Sequence, residues 1–143
     1  MYAVKEIQKK ERHKIEQEKT LVLVVDDNDD IRGFFKLMLP YKGFRVLDAS
    51  SSREAGELLE KNPDIQLILM DMLLSGENGI DISHAIKSNT STAHIPIILM
   101  SAHPTAKQYL SAGFLEDFIE KPFELNEIMS KIKSLLKTPP AIT

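Results

Sequence analysis

The chain has 143 residues, enough for one domain with a real core and too few for two. Its formal net charge of -3, with acid and base mixed throughout, argues against a nucleic-acid groove or an anionic-membrane patch. With no cysteine it has no disulfide, thiol nucleophile or thiolate metal site, and no apolar run approaches the ~18 residues of a membrane span.

Residues 1–19 differ in texture from the rest. Lys5-Glu6, Lys9-Lys10-Glu11-Arg12 and Glu16-Gln17-Glu18-Lys19 surround only Val4, Ile7 and Ile15, too sparse for a coiled-coil seam. The expectation is a solvated linker or frayed helix, with homodimerisation the lesser alternative. Leu21-Val22-Leu23-Val24-Val25 is a buried strand ending in Asp26-Asp27. Asp26-Asp27-Asn28-Asp29-Asp30 supplies cap formers and first-turn acids for a helix whose stripe is Ile31, Phe34, Phe35, Met38 and Leu39, closed by Pro40 and Gly43. Phe44 to Ala49 is a second strand. Ser51-Ser52-Arg53-Glu54 reads as a capping box for a helix packing through Ala55, Leu58 and Leu59 and stopped by Asn62-Pro63.

The third strand, Leu67-Ile68-Leu69-Met70, ends in Asp71. The Gly79 region then opens a helix with Ile82, Ala85 and Ile86 inward. Ile95-Pro96-Ile97-Ile98-Leu99-Met100 ends in Ser101, and His103-Pro104-Thr105 starts a short helix ended by Ala112-Gly113. A strand around Phe118-Ile119 leads through Glu120 into Lys121-Pro122-Phe123. The last helix presents Ile128, Met129, Ile132, Leu135 and Leu136, and Thr138-Pro139-Pro140 ends the fold. Five strand-then-helix units with right-handed crossovers predict an α/β fold, a doubly wound parallel sheet covered on both faces.

Parallel strands bring Asp26, Asp27, Asp71, Ser101 and Lys121 to one carboxyl edge, where such sheets bind ligands. Three carboxylates there repel by roughly 3 kcal/mol per pair, taking about 5 Å and an effective dielectric near 20. Lys121 supplies one compensating charge, and a hard divalent cation with few protein ligands and several waters, the habit of Mg²⁺, supplies the rest. A phosphoryl group then has a place against the cation, Lys121 and the Ser101 hydroxyl, with Asp71 as nucleophile.

The segments Val24-Val25-Asp26-Asp27-Asn28, Met70-Asp71-Met72 with Gly79 beyond it, Ser101-Ala102 and Lys121-Pro122-Phe123, in that order and spacing, resemble a two-component response-regulator receiver domain over about residues 20–137. The resemblance implies a CheY-like five-stranded sheet of order 2-1-3-4-5, with residues 1–19 as extension or linker and 138–143 as a tail. It implies Asp71 as phosphoacceptor, and Mg²⁺ held by Asp26, Asp27, Asp71 and the backbone carbonyl of Leu73. Lys121 would pair with phosphoryl oxygens, its bond to Pro122 cis; Ser101 would be the switch hydroxyl and Phe118 the aromatic that turns inward. The implied partners are a histidine kinase or histidine phosphotransfer protein and a downstream protein, in the cytoplasm, with no membrane and no direct nucleic-acid contact. The domain would catalyse only its own phosphorylation and slow dephosphorylation, and no output domain is expected after the last helix: it is either a stand-alone receiver or one cut from a larger hybrid kinase, with Met1 to Thr20 then the joining linker.

Departures from the family pattern are Leu74-Ser75 where relatives often carry Met-Pro, Asn78 in place of Asp before Gly79, and a shorter run from Ser101 to Lys121. Leu73 and His103 occupy positions that modulate water access in such domains, and an apolar Leu73 implies a slowly hydrolysing acyl phosphate. Other readings explain less. A flavodoxin-like electron carrier needs a first loop that cradles phosphate, which Asp26-Asp27 would repel. A haloacid-dehalogenase-type hydrolase needs a second acid where Leu73 stands. A phosphorylation-independent interaction module leaves the convergence of three Asp and one Lys unexplained. His13, His84, His94 and His103 lack ligand spacing and are expected on the surface.

Overall fold

The computed structural model describes residues 2–136; the expected tail at 138–143 and its Pro139-Pro140 stop lie outside the described residues. The elements are α1 (Tyr2–Glu18), β1 (Leu21–Val25), α2 (Asp29–Tyr41), β2 (Arg45–Ala49), α3 (Ser52–Lys61), β3 (Ile65–Asp71), β4 (Leu73–Leu74), β5 (Glu77–Asn78), α4 (Gly79–Ser88), β6 (Ile97–Ser101), a 3-10 segment (Pro104–Ala112), β7 (Asp117–Glu120) and α5 (Leu125–Leu135). The main sheet runs β2-β1-β3-β6-β7, all parallel, which is the expected 2-1-3-4-5 order once the small β4–β5 hairpin is set aside.

Period-two alternation splits the core into two layers. Leu23, Val25, Ile68, Met70, Ile97 and Leu99 pack with Ala55 and Leu59 of α3, Ile80 and Ile86 of α4 and Ala106 of the 3-10 segment. Val22, Val24, Leu67, Leu69, Ile98 and Met100 face Phe35 and Leu39 of α2 and Ile128, Met129 and Ile132 of α5. A register shift between the partners of Leu21 and Val22 leaves Gln66 unpaired and exposed, so that Ile65 and Leu67 reach opposite layers.

Several local expectations are corrected. α2 runs on past Pro40 to Tyr41, because a proline this close to a helix end removes one bond only. Phe34 is exposed and lies edge-on against buried Phe35, so the inward stripe is Phe35 and Leu39, flanked by Ile31 and Met38. α4 buries Ile80, Ser83 and Ile86 and packs Ile82 partly against the same layer, while Ala85 is exposed. Two contacts explain that roll. Ser83 Oγ donates to the Gly79 carbonyl at 2.7 Å, which satisfies its hydroxyl inside the core. Gly79 itself lies against β3, where an added Cβ would come within 1.9 Å of the Asp71 carbonyl oxygen. The expected fourth α-helix is the 3-10 segment, with only Ala106 buried. α1 is a regular helix with Val4 and Ile7 exposed.

Candidate functional site

After β1, β3 and β7 the strand's ladder runs one residue past its end. The N–H of Asp26 donates to the Ala49 carbonyl, Met72 to Met100 and Lys121 to Ser101, at 2.8–3.0 Å. These bonds carry the sheet's order into the loops and align Asp26, Asp71, Ser101 and Lys121 along one edge. Asp26 is fully buried, Asp71 is 7% exposed and Ser101 3%.

Oxygens of Asp26, Asp27 and Asp71 lie within 4.8 Å of one another, a donor set of hard oxygens that fits a small divalent cation. Lys121 Nζ donates to Asp26 Oδ2 and to Asp71 Oδ1, both at 3.0 Å. Burial disfavours its ammonium, but these two carboxylates outweigh that and hold its pKa above the ordinary lysine value. The pKa of Asp71 is raised as well, to about 6, first by burial and then by the charges of Asp26 and Asp27, against the opposing pull of Lys121. Three carboxylates facing one ammonium leave negative charge for a cation to neutralise.

The remaining predicted residues lie nearby with less direct geometry. Ser101 Oγ accepts the His103 N–H at 3.0 Å. Phe118 packs in the layer that holds Ala106 and Leu115, below the edge rather than on it. Leu73 opens the β4–β5 hairpin with an exposed side chain. The Lys121–Pro122 bond is cis, as the resemblance implies. All four histidines are exposed.

Sequence reasoning missed three supports. Asn28, one of the expected cap formers, caps α2 through its side-chain oxygen, and the support that was missed is its own N–H, which donates to Asp26 Oδ1 at 2.9 Å. Arg32 sends Nη1 to the Asp26 carbonyl at 2.7 Å and Nε to Asp48 Oδ2 at 3.0 Å, and also pairs with Asp29. Burial works against its guanidinium, and the bonds to Asp29 and Asp48 overcome it, raising its pKa. Ser75 Oγ donates to Asp27 Oδ2 at 2.6 Å. A lone arginine one turn into a helix that opens with acids was a legible signal; a serine whose partner lies 48 residues away was not.

The family description "Response regulator receiver domain" matches residues 22–133. The chain belongs to this family. The receiver is 32% identical over 120 residues to the phosphate regulon transcriptional regulatory protein PhoB of Pseudomonas aeruginosa, covering 81% of this chain and 51% of that protein. It is 32% identical over 125 residues to the transcriptional regulatory protein SrrA of Staphylococcus aureus, covering 85% and 50%. The chain thus spans about half the length of the curated relatives it matches. Among solved structures, Vibrio cholerae chemotaxis protein CheY4 shares the fold at a TM-score of 0.76 and 24% identity, covering 82% of this chain and 99% of that one. Response regulator TrrA of Thermotoga maritima, solved in complex with Mg²⁺-BeF, superposes at 0.73 with 26% identity and coverage of 82% and 99%. The receiver is therefore a signalling module of two-component systems, and among its described residues no helix is long and apolar enough to cross a membrane.

Proposed function

We propose that this receiver is a phosphorylation-controlled switch in which Asp71 accepts a phosphoryl group from the phosphohistidine of a histidine kinase or phosphotransfer protein. The observation that carries this reading is the Lys121 ammonium, 3.0 Å from both Asp26 and Asp71 at the centre of a buried acidic cluster. Asp26, Asp27, Asp71 and the Leu73 carbonyl would hold Mg²⁺. Bound there, Mg²⁺ would supply positive charge to phosphoryl oxygens and template an in-line displacement. The cation complex of Thermotoga TrrA supports the assignment by relationship.

The protein's own groups account for the rest. Its raised pKa makes Asp71 more basic than an ordinary carboxylate yet mostly ionised at neutral pH, which suits a nucleophile. Its free oxygen attacks phosphorus; the new P–O bond forms as the P–N bond to the donor histidine breaks. Lys121 turns from the carboxylates toward the phosphoryl oxygens. Ser101, whose oxygen accepts the His103 N–H, has its own proton to offer to the same group. Movement of Ser101 along β6 would be felt by Phe118 on the adjacent strand, which carries the state to a downstream protein surface. Exposed Leu73 offers no polar group to orient an attacking water, so the acyl phosphate is long-lived. The switch unit is residues 20–137, with 1–19 as a linker and 138–143 as a tail, working in the cytoplasm without direct nucleic-acid or membrane contact.

Intact mass after incubation with acetyl phosphate tests the proposal. One Mg²⁺-dependent phosphoryl adduct, absent from Asp71→Ala, is the expected result. No adduct on the folded native chain in Mg²⁺ overturns it and leaves an interaction module independent of phosphorylation.

A further inference from the structure

The three carboxylates of the cluster do not present their oxygens equally. Asp26 Oδ1 accepts the Asn28 N–H at 2.9 Å and Oδ2 accepts Lys121 Nζ at 3.0 Å. Asp71 gives Oδ1 to Lys121. Asp27 gives Oδ2 to the Ser75 hydroxyl at 2.6 Å. Each carboxylate is thus tied to the protein through at least one oxygen. To clasp a cation with both oxygens, Asp27 or Asp71 must share or surrender its hydrogen bond, whereas to offer a single oxygen either gives up nothing; Asp26, tied at both oxygens, shares a bond even as a single-oxygen ligand.

That distinction separates the two common hard divalent cations. Ca²⁺ fills a large, flexible shell and takes carboxylates through both oxygens, whereas Mg²⁺ keeps a small octahedron of single oxygens and waters. Three of the four ties come from the Asn28 N–H and from Lys121. The fourth comes from a hydroxyl on an exposed residue, in a position where proline would have no donor.

Ser75 is also held in place. The hairpin carrying it pairs Leu73 with Asn78 and Leu74 with Glu77, and reverses at Gly76 with φ +73. Its second strand is fastened to the start of α3, where the Glu77 carboxylate accepts the Ser52 N–H at 3.0 Å together with the Ser52 hydroxyl. These bonds hold the Glu77 carboxyl below the usual range.

We infer that Ser75 is a positioning residue that sets cation specificity: by holding Asp27 Oδ2 it keeps Asp27 a single-oxygen ligand and favours Mg²⁺ over Ca²⁺. This rests on the assignment of Asp26, Asp27 and Asp71 as cation ligands proposed above.

Calorimetric titration of the native chain, Ser75→Ala, Ser75→Thr and Asp27→Asn with MgCl₂ and with CaCl₂ tests it. Ser75→Ala is expected to weaken Mg²⁺ binding roughly threefold to tenfold, the scale of one hydrogen bond to a charged group, while Ca²⁺ binding holds or strengthens. Ser75→Thr keeps the hydroxyl and restores the native preference. A merely structural loosening would weaken both cations alike, so an unchanged Mg²⁺ to Ca²⁺ ratio in Ser75→Ala overturns the inference, as does a threonine variant that behaves like alanine. Asp27→Asn separates the two levels. If it loses Mg²⁺ affinity while Ser75→Ala keeps the native ratio, only the role of Ser75 falls. If the native chain binds neither cation, or Asp27→Asn binds Mg²⁺ as the native chain does, the cation site falls and the role of Ser75 with it.

Discussion

The two sides of β3 are built by different means. On the side of β1, the helices that open at the carboxyl edge are capped by side chains: Asn28 accepts the N–H groups of Asp30 and Ile31, and Ser51 accepts that of Glu54. α4, directly after the β4–β5 hairpin, is capped in the same way by Asn78 onto Ile80. On the side of β6, neither His103 before the 3-10 segment nor Glu124 before α5 makes a side-chain cap bond, and the 3-10 segment buries only Ala106. Side-chain caps therefore support the acidic side, while the helical segments after Ser101 and Phe118 are held by packing without side-chain caps. Such a contrast suits a site whose acidic half must be ready before a ligand arrives and whose other half has to respond.

The comparison breaks most severely at Gly79. A methyl group there meets the Asp71 carbonyl oxygen at 1.9 Å, against backbone that cannot yield without moving β3 or α4. Gly79→Ala is expected to cost about 3 kcal/mol or more in urea unfolding. An unchanged midpoint would mean that β3 is not braced by α4.

Asp71→Asn works in the opposite direction. The folded-state pKa of Asp71 is raised from 3.8 to about 6, so the folded chain holds this proton more tightly than the unfolded chain. Stability from this group is then present below the unfolded pKa and lost as pH rises through the folded one. In the absence of divalent cation, Asp71→Asn should be about 1–2 kcal/mol more stable than the native chain at pH 7.5. The gain should vanish as pH falls toward 4, and chelator-treated protein melted across that range reads it directly.

Asn78→Ala removes the cap of α4 and is expected to cost about 1 kcal/mol. The matching change across the sheet, His103→Ala, removes no cap bond and should stay within about 0.5 kcal/mol of native. Equal losses for the pair in denaturant titration would erase the contrast between the two sides.

The capping box illustrates how far local reading reached. Ser51 does accept the Glu54 N–H at 3.2 Å, but the Glu54 carboxylate turns back to the N–H and hydroxyl of Ser50 instead of to Ser51. The helix was legible from side-chain type; the reciprocal partner depended on how the chain leaves β2. Phe34 and Ala85 fit their helical stripes equally well, and lie outside them because the roll of a helix is set by what it packs on. Shortening the run between Ser101 and Lys121 was visible, but that it closes as a 3-10 turn was not, since one tighter turn and one α turn share the same side-chain pattern.

By itself the sequence determined the alternation of buried strands and amphipathic helices, and with it the parallel sheet and the gathering of Asp26, Asp27, Asp71, Ser101 and Lys121 at one edge. Those features follow from periodicity and strand direction, which are properties of neighbours along the chain. Only the tertiary structure decided that Lys121 bridges Asp26 and Asp71, that Arg32 braces Asp26 and Asp48, and that Ser75 holds Asp27. Hydrogen bonds of this kind act over about 3 Å between residues remote in sequence, and no local pattern encodes a distance that exists only after the layers have packed.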